Sequence, residues 1–387
     1  MWPRLAAERV RQLWAQFPAV LILGARQVGK TTLARQCFPQ LLYVDLEEPA
    51  TRQLFLDDPT FQLERRASAP LILDEAQAVP PLFAALRGLI DQRPGVAGRF
   101  LLLGSAQPTL IREVSESLAG RVGIVDLDPL TAHEAGSGTD AQPWQEVWLR
   151  GGFPRALAGD FREWWEAYLR TYIERDLPQL EVAARPLLVR RLLTMLAHSQ
   201  GGLLNASALG QSLGVSYHTV RRYLDVLEQT FLIRRLPPYF RNIRKRLVKA
   251  PKVYLRDTGL LHHLLGLGSI EAIEHHPVRG PSFESFVLED IARREKLAHP
   301  HAQLYFWRTA AGAEADLLIE RGSERFLVEV KAGRGDKPQV VRNLAQAFID
   351  TAARSAWIID QAAGCDPVRR GIERRGIAAC LDWLPVV

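Results

Sequence analysis

The sequence has few cysteines and no long apolar run. Its 387 residues include only three cysteines (Cys37, Cys365 and Cys380), which lie far apart and form no CxxC pair. This pattern argues against a disulfide scaffold or a cysteine zinc site and favours a reducing compartment. No stretch approaches about 18 continuous apolar residues, so no membrane span is predicted. The first 17 residues carry charges throughout and lack the apolar region of a signal peptide, so a cytoplasmic protein is expected.

Positive charge is concentrated in one part of the chain. The net charge is +6, yet residues 185–260 alone contain 14 lysines and arginines against three acidic residues. The segments before and after them are close to neutral or acidic. A block of this kind indicates a polyanionic partner, whereas ordinary surface charge would be spread along the chain.

A phosphate-binding motif follows the first apolar run. Residues 19–23 (AVLIL) predict a buried parallel strand, and GARQVGKTT comes directly after it and matches GxxxxGK[ST]. In this motif backbone N–H groups surround the phosphates, the lysine reaches the β/γ oxygens and the hydroxyl ligates Mg²⁺. The sequence therefore predicts ATP and Mg²⁺ as cofactors. The predicted binding residues are Gly24, Gly29, Lys30, Thr31 and Thr32.

Two further apolar runs end in polar residues. LIL (71–73) ends in Asp74 and Glu75, which are placed to hold Mg²⁺ and to polarise the attacking water. FLLLG (100–104) delivers Ser105 to the end of another predicted strand, where ligands of open α/β sheets bind. Ser105 is thus a candidate γ-phosphate or water contact, and a helix N-cap is an equal alternative.

Two arginines are candidate contacts to the nucleotide. Arg121 follows SESLAG and is a candidate arginine finger that acts on a neighbouring subunit, although a loop arginine is more often a surface charge. Arg155, in GGFPRAL, is a candidate γ-phosphate sensor on a helical lid. The alternative there is a simple boundary between a loop and a helix that starts near Pro154.

The basic segment has the rhythm of a helix–turn–helix. Asn205 and Ser216 are predicted to cap two helices, and LIRRLPPYF and KAPKVYLRD are predicted to form a hairpin. A winged helix places its second helix in a DNA groove and its wing on the backbone, but winged helices also bind proteins. With the charge included, DNA is the favoured partner. The candidate DNA-binding residues are Arg221, Arg222, Arg241, Arg244, Lys245, Arg246 and Lys249.

The last third of the chain brings acids onto predicted strands. EADLLIE (314–320) contains Asp316, and RFLVEVK (325–331) contains Glu329 and Lys331 on one face. Asp316 and Glu329, with Glu284 from the preceding helix, form a candidate Mg²⁺ or Mn²⁺ site facing a scissile phosphate, and Lys331 is a candidate catalytic residue there. An isolated Glu-x-Lys pair is more often an exposed ion pair, worth under about 1 kcal/mol.

The motifs along the chain occur in the following order: GARQVGKTTL, LILDEAQ, LLLGSAQ, SLAGRV, LRGGFP, TYIERDL, the VSYHTVRRYLDVLE helix, KAPKVYLRDTGLL and EADLLIE…FLVEVK. The order resembles prokaryotic AAA-type ATPases whose carboxyl-terminal half is a domain of unknown function. The resemblance implies an α/β fold: a P-loop NTPase parallel sheet with a helical lid, then a winged helix–turn–helix, then an α/β restriction-endonuclease-like domain of the PD-(D/E)xK type. The implied domains are residues 1–130, 131–184, 185–260 and 261–387.

The resemblance also bears on single residues. It strengthens Arg121 as a finger and Ser105 as a sensor, because both lie in matching motifs. SAQ stands where GSS-like sensors are more usual, which leaves the polar role to Ser105 alone.

The sequence predicts an ATP-hydrolysing, DNA-binding homo-oligomer with a nuclease-like site, and branched DNA is a substrate suggested by analogy. One alternative is an ATP-driven DNA remodeller or translocase that does not cleave. The other is a regulatory switch that binds protein.

Overall fold

The computed structural model describes residues 2–66, 69–105, 108–179, 185–239, 250–309 and 312–380. The chain forms two compact units. The amino-terminal unit comprises Arg4–Pro129 with residues 229–231, and the carboxyl-terminal unit comprises Leu130–Glu228 and Leu232–Val387 with residues 1–3. The finer division of the second unit into three domains stays a prediction. None of the helices in the described ranges is long and apolar enough to cross a membrane.

The amino-terminal unit is built on a five-stranded parallel sheet. Its strands are β1 (Ala19–Gly24), β2 (Leu42–Asp45), β3 (Leu71–Asp74), β4 (Phe100–Ser105) and β5 (Val122–Leu127). They pair in the order β2-β3-β4-β1-β5. The helices are α1 (Ala6–Trp14), α2 (Lys30–Cys37), α3 (Pro49–Asp57), α4 (Pro59–Arg66), α5 (Leu82–Asp91) and α6 (Pro108–Ser117), and a 3₁₀ turn spans Ala76–Ala78.

The burial of these strands explains their sequences. β1, β3 and β4 are buried along their whole length, so they read as continuous apolar runs. The edge strands β2 and β5 are partly exposed, with Leu42 and Ile124 facing outward. Because all five strands are parallel, the ends of β1, β3 and β4 that carry the predicted nucleotide site meet at one edge of the sheet.

The carboxyl-terminal unit begins with helices. These helices are α7 (Ala132–Ala135), α8 (Trp144–Arg150), α9 (Pro154–Ala158), α10 (Phe161–Thr171), α11 (Leu177–Gln179) and α12 (Pro186–His198). A π-helical turn, Tyr172–Asp176, separates α10 from α11.

The predicted helix–turn–helix elements follow. They are α13 (Ala206–Leu213), α14 (Tyr217–Gln229), β6 (Ile233–Leu236) and β7 (Lys252–Leu255). Asn205 caps α13 by accepting the Ala208 N–H at 3.0 Å, and Ser216 accepts the Thr219 N–H at 3.1 Å. β6 and β7 are antiparallel, as a hairpin requires. These elements are where the sequence placed them, and the winged-helix assignment stays a prediction.

A six-stranded mixed sheet completes this unit, in the order β12-β13-β11-β10-β9-β8. Its strands are β8 (Gln303–Arg308), β9 (Glu314–Arg321), β10 (Glu324–Lys331), β11 (Ser355–Asp360), β12 (Cys365–Arg369) and β13 (Ile372–Gly376). The remaining helices are α15 (Thr258–Leu264), α16 (Ile270–Glu274), α17 (Arg279–Ala298), α18 (Pro338–Thr351) and α19 (Ile377–Cys380). β8, β9 and β10 form an antiparallel meander, and β10 pairs in parallel with β11.

Candidate functional sites

The turn between β1 and α2 has the backbone that a phosphate loop needs. Gly29 adopts a φ of 103°, which L side chains rarely tolerate. At Gly24 a Cβ atom would lie 2.4 Å from the Leu127 carbonyl oxygen, so only glycine fits. α2 begins at the next residue with no side-chain cap from Gly29, and a helix start of this kind suits an anion.

Lys30 is buried at the start of α2. Its Nζ donates to the carbonyl oxygens of Gly24 at 3.2 Å and Ala25 at 3.1 Å, which uses two of its three N–H groups. Burial lowers the pKa of Lys30, and the carboxylates of Glu75 and Asp74 oppose that effect. The ammonium is therefore held in place facing two acids. Thr32, two residues after Lys30 in α2, is exposed.

Asp74 is the centre of an oxygen cluster at the end of β3. Its Oδ2 accepts from the Thr31 hydroxyl at 2.6 Å and from the Tyr43 hydroxyl at 2.8 Å. Hydroxyl and carboxylate oxygens are the ligands that Mg²⁺ prefers, so Thr31 and Asp74 fit the predicted ion. Tyr43 was not predicted. Burial and the hydrogen bond to Asp74 raise its pKa, so it stays a neutral donor.

Glu75 is held by two side chains in an unusual backbone conformation. Its φ of 52° and ψ of 49° lie in the left-handed region, which is rare for a residue other than glycine and marks functional sites. Its Oε2 accepts from the Gln77 amide and, at 3.5 Å, from the Ser105 hydroxyl. Ser105 thus contacts the acid that is predicted to activate water. Gln77 lies in the LILDEAQ motif, but no role was predicted for it from the sequence.

The two predicted arginine contacts occupy different settings. Arg121 forms a two-pronged ion pair with Asp91 of its own unit, with Nε–Oδ1 at 2.7 Å and Nη2–Oδ2 at 3.0 Å. The pair is on the surface, since the Arg121 and Asp91 side chains are 34% and 49% exposed. Arg155 is exposed in the short helix α9.

The basic segment contributes fewer exposed charges than its composition suggests. Of the candidate DNA-binding residues, Arg221 and Arg222 are exposed on α14, whereas residues 241–249 lie outside the described residues. Several other cations of the segment are neutralised by acids from elsewhere in the unit or from the segment itself. These are Arg190 with Glu166, Arg234 and Arg256 with Glu289, Arg235 with Glu228 and Asp225, and Lys252 with Glu284.

The predicted carboxyl-terminal site residues converge. Lys331 Nζ lies 2.6 Å from Glu329 Oε1 and 3.6 Å from Asp316 Oδ2, and the Val330 N–H donates to Asp316 at 2.8 Å. Glu284 from α17 joins them through a lysine that the sequence reasoning missed. We call Glu284, Glu314, Asp316, Glu329, Lys252 and Lys331 the carboxylate cluster.

Lys252, from β7, lies inside this cluster. Its Nζ lies 3.1 Å from Glu284 Oε1, 2.5 Å from Glu314 Oε1 and 3.4 Å from Asp316 Oδ1, and the side chain is 4% exposed. Tyr254, two residues further along β7, donates to Glu284 at 2.5 Å. Their signal in the sequence was the KVY of KAPKVYLRD, which indicated only a hairpin strand.

Burial and neighbouring charges shift the pKa values of several groups in the cluster. Burial and the nearby Asp316 carboxylate raise the pKa of Glu329 and, to about 6, that of Glu284. Burial alone would lower the pKa of Lys252, but the surrounding carboxylates outweigh it and raise the pKa. Lys252 therefore stays charged and supplies the cation that the acids require.

The fit of a metal ion to this cluster is mixed. Glu329 Oε2 is buried and has no hydrogen-bond partner among the described residues, as a vacant ligand would be. However, no set of three histidine, cysteine or acidic side chains within the described ranges is arranged to hold a metal ion. The Lys252 ammonium stands where the acids meet.

Three family models match successive parts of the chain. Residues 16–136 match an AAA domain, and this range includes the P-loop, Asp74, Glu75 and Ser105. Residues 141–271 match "Domain of unknown function (DUF8612)", and residues 279–370 match "Domain of unknown function (DUF4143)".

Similar proteins are known by sequence and by structure. The uncharacterized protein Rv2008c of Mycobacterium tuberculosis (strain ATCC 25618 / H37Rv) is 43% identical over 356 residues, which cover 90% of this chain and 77% of that protein. An uncharacterized protein of Haemophilus influenzae is 24% identical over 279 residues, covering 64% and 69%. A solved structure, the Walker-type ATPase PABY2304 of Pyrococcus abyssi, is 17% identical with a TM-score of 0.48, covering 68% of this chain and 96% of that one. The chain belongs to the same family as the Mycobacterium tuberculosis protein, and it carries an AAA-type ATPase domain.

Proposed function

We propose that the protein hydrolyses ATP at the P-loop and couples hydrolysis to DNA. The observation that carries the first half is the meeting of Lys30, Thr31, Asp74 and Glu75 at one edge of the parallel sheet. Thr31 and Asp74 would hold Mg²⁺, which supplies positive charge to the phosphate oxygens.

The roles of the remaining side chains follow from their contacts. The Lys30 ammonium, fixed by two carbonyl oxygens, offers its third N–H to a phosphate oxygen. Glu75 orients the attacking water and accepts its proton, while Gln77 and Ser105 hold the Glu75 carboxylate in position.

We further propose a homo-oligomer in which Arg121 reaches a neighbouring subunit's nucleotide and Arg155 senses the γ-phosphate. Arg121 must then exchange Asp91 for the nucleotide on assembly. Solvent screens this exposed ion pair, so the exchange is energetically feasible.

DNA is the proposed partner of α14 and the basic segment. The exposed Arg221 and Arg222 support this proposal, together with the cations of 241–249. We assign DNA contact to Arg221, Arg222 and the cations of 241–249.

The double variant Arg221→Ala/Arg222→Ala is expected to weaken DNA binding and to lower the salt dependence of its affinity. Each lost phosphate contact reduces the slope of log K against log salt by about 0.9, so the pair reduces it by about two. Fluorescence anisotropy on duplex and four-way-junction DNA over a range of salt measures the slope.

Arg369→Ala/Arg370→Ala is the matched control, since it also removes two adjacent exposed arginines. An equal loss in both variants indicates nonspecific charge attraction. Wild-type protein without any salt-dependent DNA affinity would favour the regulatory switch that binds protein.

A second candidate function is metal-dependent cleavage of DNA, including branched DNA, at the carboxylate cluster. The convergence of Asp316, Glu329 and Lys331 supports it. The order α17, β8, β9, β10, α18, β11 is also compatible with the nuclease-like domain that the sequence predicted.

Cleavage by the wild type with Mg²⁺ or Mn²⁺ is expected to disappear in Lys331→Ala. Single-stranded, duplex and four-way-junction DNA are the substrates, and product sizes on a denaturing gel are the readout. Lys337→Ala, which removes an exposed lysine, is the control. DNA that is bound but never cut by the wild type favours the remodeller or translocase instead.

A further inference from the structure

Lys252 is fixed in the carboxylate cluster by its backbone as well as by its side chain. One edge of β7 pairs with β6, and the other is bonded to the segment 201–204: the Gly201 N–H donates to Val253 O at 2.9 Å and the Leu204 N–H to Pro251 O at 2.8 Å. In addition, the side chain of Gln200 makes hydrogen bonds with the backbone N–H and carbonyl of Leu255. A strand held on both edges presents Lys252 in one place.

The surroundings of the Lys252 ammonium are those of a bound cation. Carboxylate oxygens of Glu284, Glu314 and Asp316 approach it from different elements, and the Phe306 ring centroid lies 5.7 Å from its Nζ. These acids come from α17 and β9, so the lysine joins the hairpin strand to the sheet. An ordinary surface ion pair would not be enclosed in this way.

The cluster contains more carboxylates than cations, and one of its carboxylate oxygens lacks a hydrogen-bond donor in the described part of the chain. Four carboxylates face the ammonium groups of Lys252 and Lys331, and the partly exposed Arg308 also pairs with one of them, since its Nη1 lies 3.4 Å from Glu314 Oε2. The buried Oε2 of Glu329 accepts no hydrogen bond from the described residues. A buried carboxylate oxygen normally has a donor or a cation, so this atom points to a ligand.

We propose that Lys252 is the resident cation of the carboxylate cluster, and that a divalent cation binds there only by displacing the Lys252 ammonium. An ion held by the same carboxylate oxygens would lie next to the Lys252 ammonium. Two neighbouring cations repel strongly in a buried site, so the lysine and the ion exclude each other. The metal would bind at the same carboxylate cluster that is the candidate site of DNA cleavage. The proposal rests on the cleavage candidate for the location of the site, and it does not require that the protein cuts DNA. Lys252 therefore controls metal entry.

The test compares Mn²⁺ binding to nucleotide-free wild type, Lys252→Met and Lys337→Met. Methionine keeps an unbranched chain and removes the charge. Electron paramagnetic resonance measures the unbound Mn²⁺, and the decrease of that signal gives the number of bound ions. Thermal unfolding measures the stability of each variant. We expect no Mn²⁺ bound by the wild type or Lys337→Met at concentrations that saturate Lys252→Met. Without Mn²⁺ the Tm of Lys252→Met should be lower than that of the wild type, and added Mn²⁺ should raise it again.

Two further variants locate the ion and guard against misfolding. Lys252→Met/Asp316→Asn should lose Mn²⁺ binding, whereas Lys252→Arg, which keeps the charge, should behave as the wild type does. The proposal would be overturned if the wild type bound Mn²⁺ at the concentrations that saturate Lys252→Met and Asp316→Asn removed that binding. A folded Lys252→Met protein that binds no Mn²⁺ would also overturn it.

Metal binding and cleavage are read separately. If Lys252→Met binds Mn²⁺ and the wild type cuts no DNA, only the cleavage candidate fails. If Mn²⁺ binding is the same whatever residue stands at 252, only the present inference fails.

Discussion

ATP turnover is expected to fall by at least roughly 10²–10³-fold in Lys30→Ala, the range seen when one preorganised charge stabiliser is removed. The Lys30 ammonium is buried, tied to Gly24 O and Ala25 O, and faces Asp74 and Glu75. Alanine leaves the glycine turn intact but provides no charge for the phosphates. Steady-state phosphate release at saturating ATP measures the loss.

Lys337→Ala is the matched control, because it removes an exposed lysine of the other unit and should leave turnover unchanged. DNA affinity should remain measurable in Lys30→Ala, since the proposed DNA contacts lie in the carboxyl-terminal unit. Turnover that persists in Lys30→Ala would contradict the assignment of the P-loop. Loss of turnover and DNA binding together would contradict separable functions.

Glu289→Ala is expected to destabilise the carboxyl-terminal unit by about 3–5 kcal/mol, the usual cost of removing one partner from a buried ion pair. Glu289 is 2% exposed, and its carboxylate binds Arg234 Nη2 at 3.0 Å and Arg256 Nε at 3.1 Å. Alanine would remove the buried carboxylate that both guanidiniums contact. Urea unfolding followed by circular dichroism measures the difference in the free energy of unfolding.

The control removes an acid of an exposed pair. Glu324 pairs with Arg354 at side-chain exposures of 44% and 61%, so Glu324→Ala should cost under about 1 kcal/mol. Similar losses in the two variants would show that the buried position of Glu289 does not matter.

The same carboxylate predicts a pH dependence. Burial would raise the pKa of Glu289, but Arg234 and Arg256 outweigh it and lower the pKa to about 2 from the ordinary 4.5. The contribution of Glu289 to stability is therefore complete above about pH 4.5 and is lost as the pH falls towards 2. The stability difference between wild type and Glu289→Gln should shrink over that window.

The P-loop could be predicted from the sequence because its signal is local. A strand, a glycine turn and a helix start are contiguous, so Gly24, Lys30 and Thr31 needed no tertiary information. Asp74 and Glu75 could be placed because a buried apolar run ends at them. Tyr43 could not, because its contact with Asp74 depends on how β2 pairs with β3.

The carboxylate cluster was predicted in part. Asp316, Glu329 and Lys331 lie on two consecutive strands, so alternation indicated their shared position. Lys252 comes from 64 residues before Asp316 and was counted with the basic segment. Composition cannot separate a cation that faces solvent from one that neutralises a buried acid, and for the same reason Arg234 and Arg256 inflated the apparent DNA-binding charge.

The most direct test of the account is the steady-state rate of ATP hydrolysis by the wild type with and without DNA, with Lys30→Ala measured in parallel. The account predicts hydrolysis that DNA accelerates, that Arg221→Ala/Arg222→Ala makes less responsive to DNA, and that Lys30→Ala lacks. Hydrolysis that is unchanged by DNA at concentrations where the protein is fully bound would contradict the proposed coupling.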